Sequence, residues 1–445
     1  MERFFLLSLE VKGIKNIRNP VIFSFHKKIS DNNFNPDEYR VKAIYGENGS
    51  GKTAIVTAVK ILQRLIPERN YLNNSLTQEM LRETVNKKDR RGYIQVEFYS
   101  RFISQPTIYR YRVDFEIQDD EEFCISGEKY EWKAGRSSRN SYHTIYETNN
   151  GVLQAFSPED LFDRWKSITQ NLLNRRSLVS IIPEDDFKPV LSSKRGNASF
   201  LHLLALLMFS FSLNTYIDGE DDHRQTIYYR KLMEKAEGLP DSLPIPSSFL
   251  LDAWALQGAD GLISLPKEMF SLFQERVIRL ESFIKLFKPD LQKIEIDSRE
   301  YGSTLKCRLN MRYEDFLIDW EFESRGIKKL MNLYPVLEEA NEGGIVFIDE
   351  LDSNINDVYL DKLIEYFTNY GKGQLCFTAH NLSPMQVLKD SKAAISFISS
   401  VNTVHTWARN GNQSPENAYR NGFIEDSPFN IQASDFIGIF GAEND

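Results

Sequence analysis

The eight residues Gly46-Glu47-Asn48-Gly49-Ser50-Gly51-Lys52-Thr53 constrain this chain more than any other stretch of it. They satisfy G-x-x-x-x-G-K-[ST], a phosphate-binding loop that functions only between a strand and a helix. Both flanks are present: Val41 to Tyr45 is a short apolar strand, and Thr53 to Leu65 carries apolar residues at helical spacing. Gly46, Gly49 and Gly51 allow backbone N–H groups to curl around an anion without Cβ clashes, and Glu47, Asn48 and Ser50 complete the cradle. The N-terminus of the following helix adds partial positive charge. Lys52 is placed to reach β- and γ-phosphates, and the Thr53 hydroxyl to ligate Mg²⁺, an ion that keeps several waters and takes one or two protein ligands. ATP and Mg²⁺ are therefore the expected ligands. The competing explanation, a glycine-rich turn without a ligand, requires the four motif residues and both flanks to coincide by chance.

A second pattern lies three hundred residues on. Gly344-Ile345-Val346-Phe347-Ile348 is an apolar strand that ends in two adjacent carboxylates, Asp349 and Glu350. Ligands of open parallel sheets bind beyond the carboxyl ends of the strands, so the two acids are expected beside the loop. Asp349 suits the metal, through its water shell, and Glu350 suits the orientation and deprotonation of an attacking water. A solvated acidic loop, extended by Asp352, is the alternative. His380 ends a further strand, Leu375 to Thr378, where its imidazole is placed to contact a γ-phosphate. A lone histidine is more commonly structural, but a strand end on the same sheet favours the functional reading.

The rest of the chain reads as two lobes separated by an insert. At 445 residues it is long enough for about two to three packed units. With 41% hydrophobic and 26% charged residues it is globular rather than disordered or fibrous. Residues 1–150 read as an N-terminal lobe: Leu6 to Val11, Val21 to Phe25, Tyr93 to Tyr99 and Tyr109 to Ile117 alternate with period two, as in an antiparallel sheet with one covered face. Residues 151–300 read as a helical insertion, with Leu203-Leu204-Leu207-Met208 and Phe273-Val277-Leu280-Phe283-Phe287 stepping by three or four and loops near 217–223 and 238–248. Residues 301–445 return to strands at Leu305 to Met311 and Phe316 to Phe322, a helix from Lys328 to Glu339, and the two strands named above. Cys124, Cys307 and Cys376 have neither disulfide nor zinc spacing. The N-terminus lacks the pattern of a signal peptide, and the apolar run Phe200 to Leu213 is too short to cross a bilayer. A cytoplasmic location without membrane contact is expected.

The loop, the twin acids and the histidine, in this order and spacing, resemble the ABC-type ATPase heads of the SMC and RecF group. They resemble more closely the small bacterial ATP-binding proteins, of the AAA15 and AAA21 types, related to the overcoming-lysogenization-defect family. The opening Leu7-Ser8-Leu9-Glu10-Val11-Lys12-Gly13-Ile14-Lys15-Asn16-Ile17 is similar to the family's first strand and turn. Glu323-Ser324-Arg325-Gly326-Ile327-Lys328-Lys329-Leu330 looks like a shortened ABC signature, and Asp352 to Asn356 is similar to the D-loop. The implied fold is α/β, an ABC-type P-loop head with an antiparallel β lobe and an inserted helical domain. The implied site is composite: Ser324 and Gly326 of one protomer cap ATP held by Gly46 to Thr53 of another, in a dimer or higher homo-oligomer. Two departures stand out. Asn356-Asp357 replaces a His-Pro pair common in relatives, and Ser177 to Glu184, where the Q-loop is expected, holds no glutamine.

The resemblance implies an ATPase of bacterial antiphage defence, as in the ATPase halves of the Septu and PARIS systems, controlling a separately encoded nuclease or toxin. Within the chain there is no HExxH, no zinc cysteine pair and no sustained heptad pattern for a long coiled-coil arm. The alternative is a RecF-like repair ATPase that binds DNA directly. Basic clusters at Lys87-Lys88-Asp89-Arg90-Arg91, Arg175-Arg176 and Lys194-Arg195, with Tyr109, Tyr111 and Tyr228-Tyr229 for stacking, keep nucleic acid in play. A net charge of −9 favours a solvated face for those clusters and packing for the tyrosines.

Overall fold

Five strands of the chain are buried along their whole length: Val41–Tyr45, Leu213–Tyr216, Ile345–Ile348, Gln374–Thr378 and Ile395–Ile398. Continuous burial means cover on both faces, which is the condition of a parallel sheet. In a computed structural model that describes residues 3–26, 35–102, 105–135, 141–181, 196–217, 256–257, 262–408, 413–424 and 427, these five strands are parallel neighbours. Their order across the sheet is 395–398, 41–45, 374–378, 345–348, 213–216, with Val404–Thr406 antiparallel at the edge.

Alternate residues divide between two cores, as the two-residue period of a strand requires. Val41, Ala43, Tyr45, Val346, Ile348, Leu375 and Phe377 face the helices Phe270–Phe287, Arg325–Glu342 and Asp357–Tyr370. Ile44, Ile345, Phe347 and Cys376 face the other way, onto the helix Lys52–Leu65 and the helix Gly196–Ser212. The helix Lys52–Leu65 buries eleven of its fourteen residues, because a second sheet covers its far side. That sheet is antiparallel and seven-stranded, in the order Val21–Ser24, Phe4–Lys12, Arg91–Ser100, Thr107–Ile117, Phe123–Ala134, His143–Asn149, Val152–Phe156. Phe209 of the helix Gly196–Ser212 stacks on Phe98 of this sheet, with ring centroids 3.9 Å apart and planes at 4°. Gln374 fastens the two sheets: its amide accepts from the Leu6 N–H at 2.6 Å and donates to the Leu6 carbonyl at 3.1 Å, beside the bulge between Leu6 and Ser8.

The fold is thus the expected α/β P-loop head with an antiparallel β lobe. Residues 151–300 contribute strands as well as helices. Leu213–Tyr216 follows the helix Gly196–Ser212 without a break and joins the parallel sheet. Ile263–Pro266 and Lys293–Tyr301 flank Thr304–Arg312 in a third, antiparallel sheet. The expected strand Phe316 to Phe322 is a three-residue strand, Leu317–Asp319, followed by a 3-10 turn, because the Asp319 carboxylate accepts from the Glu321 N–H and turns the chain. Lys194-Arg195, Tyr228-Tyr229, Pro183-Glu184 and most of the expected loops at 217–223 and 238–248 lie outside the described residues. Cys124, Cys307 and Cys376 are buried and unpaired. Among the described residues no helix is long and apolar enough to cross a membrane.

Lys42 is among the charges buried in this framework. Lys42, 2% exposed, donates to the carbonyls of Ala393 and Ser24 at 2.7 and 2.9 Å, and desolvation pushes its pKa from 10.5 down to about 7. The unfolded chain holds this proton to higher pH than the folded chain, so stability rises with pH between the two values and the full penalty applies below the lower one. Denaturant titrations of wild type and Lys42→Met at pH 7.5 to 9.5 should show wild type gaining on the variant, at a slope approaching about 1.4 kcal/mol per pH unit. A pH-independent difference would contradict a depressed Lys42.

Candidate functional site

The loop between the strand Val41–Tyr45 and the helix Lys52–Leu65 is set by its glycines. A Cβ on Gly46 would lie 2.4 Å from the Ile398 carbonyl oxygen and 2.6 Å from the Ser50 Oγ, so no larger residue fits. Gly51 caps the helix with φ of +112°, in the left-handed region that favours glycine. A Cβ on Gly49 would meet nothing within 4 Å, so the loop borders open space at that point. From below, Asn16 of the N-terminal turn donates to the Gly49 carbonyl, and Ile17 packs under Gly51. Lys52 is 7% exposed, and its ammonium donates to the carbonyls of Gly46 at 2.7 Å and Glu47 at 3.0 Å, spanning the loop.

The strand Ile345–Ile348 delivers its acids to the same sheet edge. Ile348 is in register with Phe377, and Thr378 with Ile44, so the three strand ends carrying Asp349, His380 and the loop stand side by side. Burial lowers the Lys52 pKa, and the carboxylates of Asp349, Glu350, Asp352 and Glu47 oppose that shift. Loop and twin acids therefore share one electrostatic neighbourhood. His380 lies beside them, with Nε2 3.9 Å from the Glu350 Oε1 and both side chains about half exposed.

Thr378, at the end of the central strand, joins the pieces. Its hydroxyl donates to the Asp349 Oδ1 at 2.6 Å and accepts from the Glu350 N–H at 2.8 Å. Glu350 has φ of +49°, a left-handed conformation that costs a non-glycine residue of order 1–2 kcal/mol, so it persists only where neighbours hold it. Asp352 accepts from the backbone N–H groups of His380 at 2.9 Å and Asn381 at 2.6 Å, tying the histidine segment to the acidic turn.

Ser324 and Gly326 stand behind this turn in the same chain. The exposed Ser324 caps the helix Arg325–Glu342 by accepting from the Ile327 N–H at 3.4 Å, and a Cβ on Gly326 would lie 2.7 Å from the Asn354 carbonyl oxygen. At the position where the resemblance leads one to expect His-Pro, Asn356 caps the helix Asp357–Tyr370 by accepting from the Val358 N–H, and the Asp357 carboxylate accepts from the Asn381 amide at 2.5 Å. The departure is a helix start that braces the histidine segment.

The donor set fits Mg²⁺. Thr53 and Asp349 present hard oxygens, and the Thr53 hydroxyl has no hydrogen-bond partner among the described residues. Among those residues no cluster of three or more His, Cys, Asp or Glu forms a cage, and Mg²⁺ completes its shell with water and phosphate rather than requiring one. Beside the loop, a cleft of about 810 Å³ is lined by Asn16, Lys12, Arg18, Lys88, Arg91 and Asn402 among others. Asn16, Lys329 and Asp352 fall within segments that the sequence marks by resemblance, but their individual contacts, and the bridging role of Thr378, are seen only in the structure.

A family profile described as AAA domain, putative AbiEii toxin, Type IV TA system matches residues 42–383. The chain belongs to that family. This AAA-domain family brings with it the P-loop ATPase class already indicated by the loop and acids. No curated protein matches the chain. Among solved structures, the Smc head domain with an extended coiled coil bound to the C-terminal domain of ScpA, from Pyrococcus furiosus, aligns at 13% identity over 91% of this chain and 96% of that one, with a TM-score of 0.42. The SMC head domain from Thermotoga maritima aligns at 14% identity over 91% and 100%, with a TM-score of 0.32. The recombination mediator RecF, in an ATP-analogue structure of the RecFOR pathway, aligns at 12% identity over 91% and 99%, with a TM-score of 0.37.

Thr378→Val keeps the shape and removes the bridging hydroxyl, leaving a buried carboxylate oxygen and an N–H unpaired. Denaturant unfolding should show a loss of about 1–3 kcal/mol, with Thr378→Ser recovering most of it. Equal stability of Thr378→Val and wild type would show that the bridge holds nothing.

Proposed function

We propose that this protein is an ATP-hydrolysing switch of a bacterial antiphage defence system, acting as a homo-oligomer that senses or scaffolds and controls a separately encoded nuclease or toxin. The observation that carries the ATPase reading is the meeting of Lys52 with Asp349 and Glu350 at one edge of the parallel sheet. The backbone of Gly49 to Thr53 cradles the β- and γ-phosphates, and Lys52 turns from its loop carbonyls to the phosphate oxygens. Mg²⁺, when held by Thr53 and Asp349, supplies charge neutralisation on the transferring phosphoryl group. Glu350 takes the proton of the attacking water, and the half-exposed His380 contacts the γ-phosphate beside it. Ser324 and Gly326 of a second copy close the site, with the exposed serine and the N-terminus of the helix Arg325–Glu342 turned to the anion. The family's description as a putative toxin of a Type IV TA system supports the defence setting.

The cleft beside the loop has the size of a small-molecule site and receives the nucleoside end of ATP. Its charge favours one second reading. Lys12, Lys88 and Arg91 have no ion-pair partner among the described residues, and an uncharged base and ribose do not call for three cations. Direct contact with a nucleic-acid backbone, as in the RecF-like alternative, would use them. Salt-dependent DNA binding by the lone protein, with a slope of several released ions, would establish that reading.

Lys52→Ala should abolish ATP binding. Glu350→Gln should bind ATP normally, lose turnover by roughly 10²–10⁴-fold, and accumulate an ATP-dependent oligomer in sedimentation. Normal hydrolysis by Glu350→Gln would remove the general-base role. Co-purification with the product of the adjacent open reading frame tests the effector, and failure to associate in every nucleotide state would remove it.

A further inference from the structure

Lys329 is 4% exposed within the helix Arg325–Glu342, on the face that carries Leu333 and Val336 into the core. An aliphatic residue would pack there without the cost of desolvating an ammonium. Its Nζ donates instead to the Glu350 carbonyl at 2.6 Å and to the Ser353 hydroxyl. One turn earlier the same helix presses Gly326 against the Asn354 carbonyl, and Asn354, like Glu350, is left-handed, with φ of +59°. The helix thus grips the acidic turn at two points. Glu350 is held from both sides of its backbone: the N–H by Thr378, which belongs to the sheet, and the C=O by Lys329, which belongs to the signature helix.

We infer that Lys329 is a positioning residue through which the helix bearing Ser324 and Gly326 sets the direction of the Glu350 carboxylate. The inference rests on Glu350 being the general base. Capping of a partner's nucleotide at the start of the helix displaces the helix, and Lys329 carries that displacement to the Glu350 peptide. A left-handed residue held by opposed contacts reorients its side chain when one contact moves. Hydrolysis in a protomer is then tuned by whether its own signature is engaged.

The test compares Lys329→Met, Lys329→Arg, Ser353→Ala and the surface control Lys362→Met in the full-length protein, alongside Glu350→Gln. Steady-state ATP hydrolysis gives kcat, and a fluorescent ATP analogue gives affinity. Lys329→Met should lose roughly 10–100-fold in kcat while analogue affinity stays within about twofold. Lys329→Arg should recover part of the loss, Ser353→Ala should lose less than Lys329→Met, and Lys362→Met, on the exposed face of the helix Asp357–Tyr370, should behave as wild type. If Lys329→Met does not fold, a graded kcat loss in Lys329→Arg and Ser353→Ala at unchanged affinity carries the same conclusion. Normal kcat in all three, or affinity falling in step with kcat, overturns it. Should Glu350→Gln stop turnover while the Lys329 variants are normal, this inference alone fails. Should Glu350→Gln turn over normally, the general-base reading fails and the inference with it.

Discussion

The register of three parallel strands fixes the chemistry of this protein. Val41–Tyr45 pairs with Gln374–Thr378, which pairs with Ile345–Ile348, so the phosphate loop, His380 and the twin acids leave the sheet at one level. A shift of one residue in the central strand would send Thr378 to the opposite face and strand the hydroxyl that bridges Asp349 and Glu350. What prevents that shift is burial on both sides. Phe377 and Leu375 belong to one core and Cys376 to the other, so a slip would exchange two packed faces at once. The geometry of the site and core packing are the same constraint seen from the edge and from the middle of the sheet.

That edge is held in a strained form. Glu350 and Asn354 both occupy the left-handed region within five residues, and Gly51 does so across the site. The contacts on the acidic turn and the loop come from different layers: Thr378 from the sheet and Lys329 from the helix Arg325–Glu342 on Glu350, Asn16 from the antiparallel lobe on Gly49. The lobe is thereby part of the site's support rather than an appendage to it, and Gln374 fastens the two sheets near the base of the same central strand. A ligand that bears on the loop or the acids therefore works against all three layers.

The sequence disclosed those parts whose chemistry is local. The loop was legible because its glycines, lysine and threonine are consecutive, and its strand because a doubly covered parallel strand is a continuous apolar run. Leu213–Tyr216 was hidden because an apolar helix runs straight into it without a turn residue to mark the change. Trp320-Glu321-Phe322 alternates like a strand, yet one carboxylate, Asp319, bends it into a 3-10 turn. Thr378 and Lys329 act on Glu350 from 28 and 21 residues away, and no local period records such a meeting. The placement of Asp349 beside Lys52 was inferable only through the rule that ligands gather at strand ends.

The charge of the site follows from the same arrangement. Lys52 sits with Asp349, Glu350, Asp352 and Glu47 around it, so the pocket as a whole is acidic although its motif is read as an anion cradle. A triphosphate entering alone would meet these carboxylates at close range, and the helix N-terminus with one lysine offsets only part of that repulsion. Thr53 and Asp349 would hold a divalent cation, whose charge would offset that repulsion. The carboxylates of the acidic turn thus bear on Lys52, whereas Lys12, Lys88 and Arg91 line the neighbouring cleft together with Asp89 and Glu116.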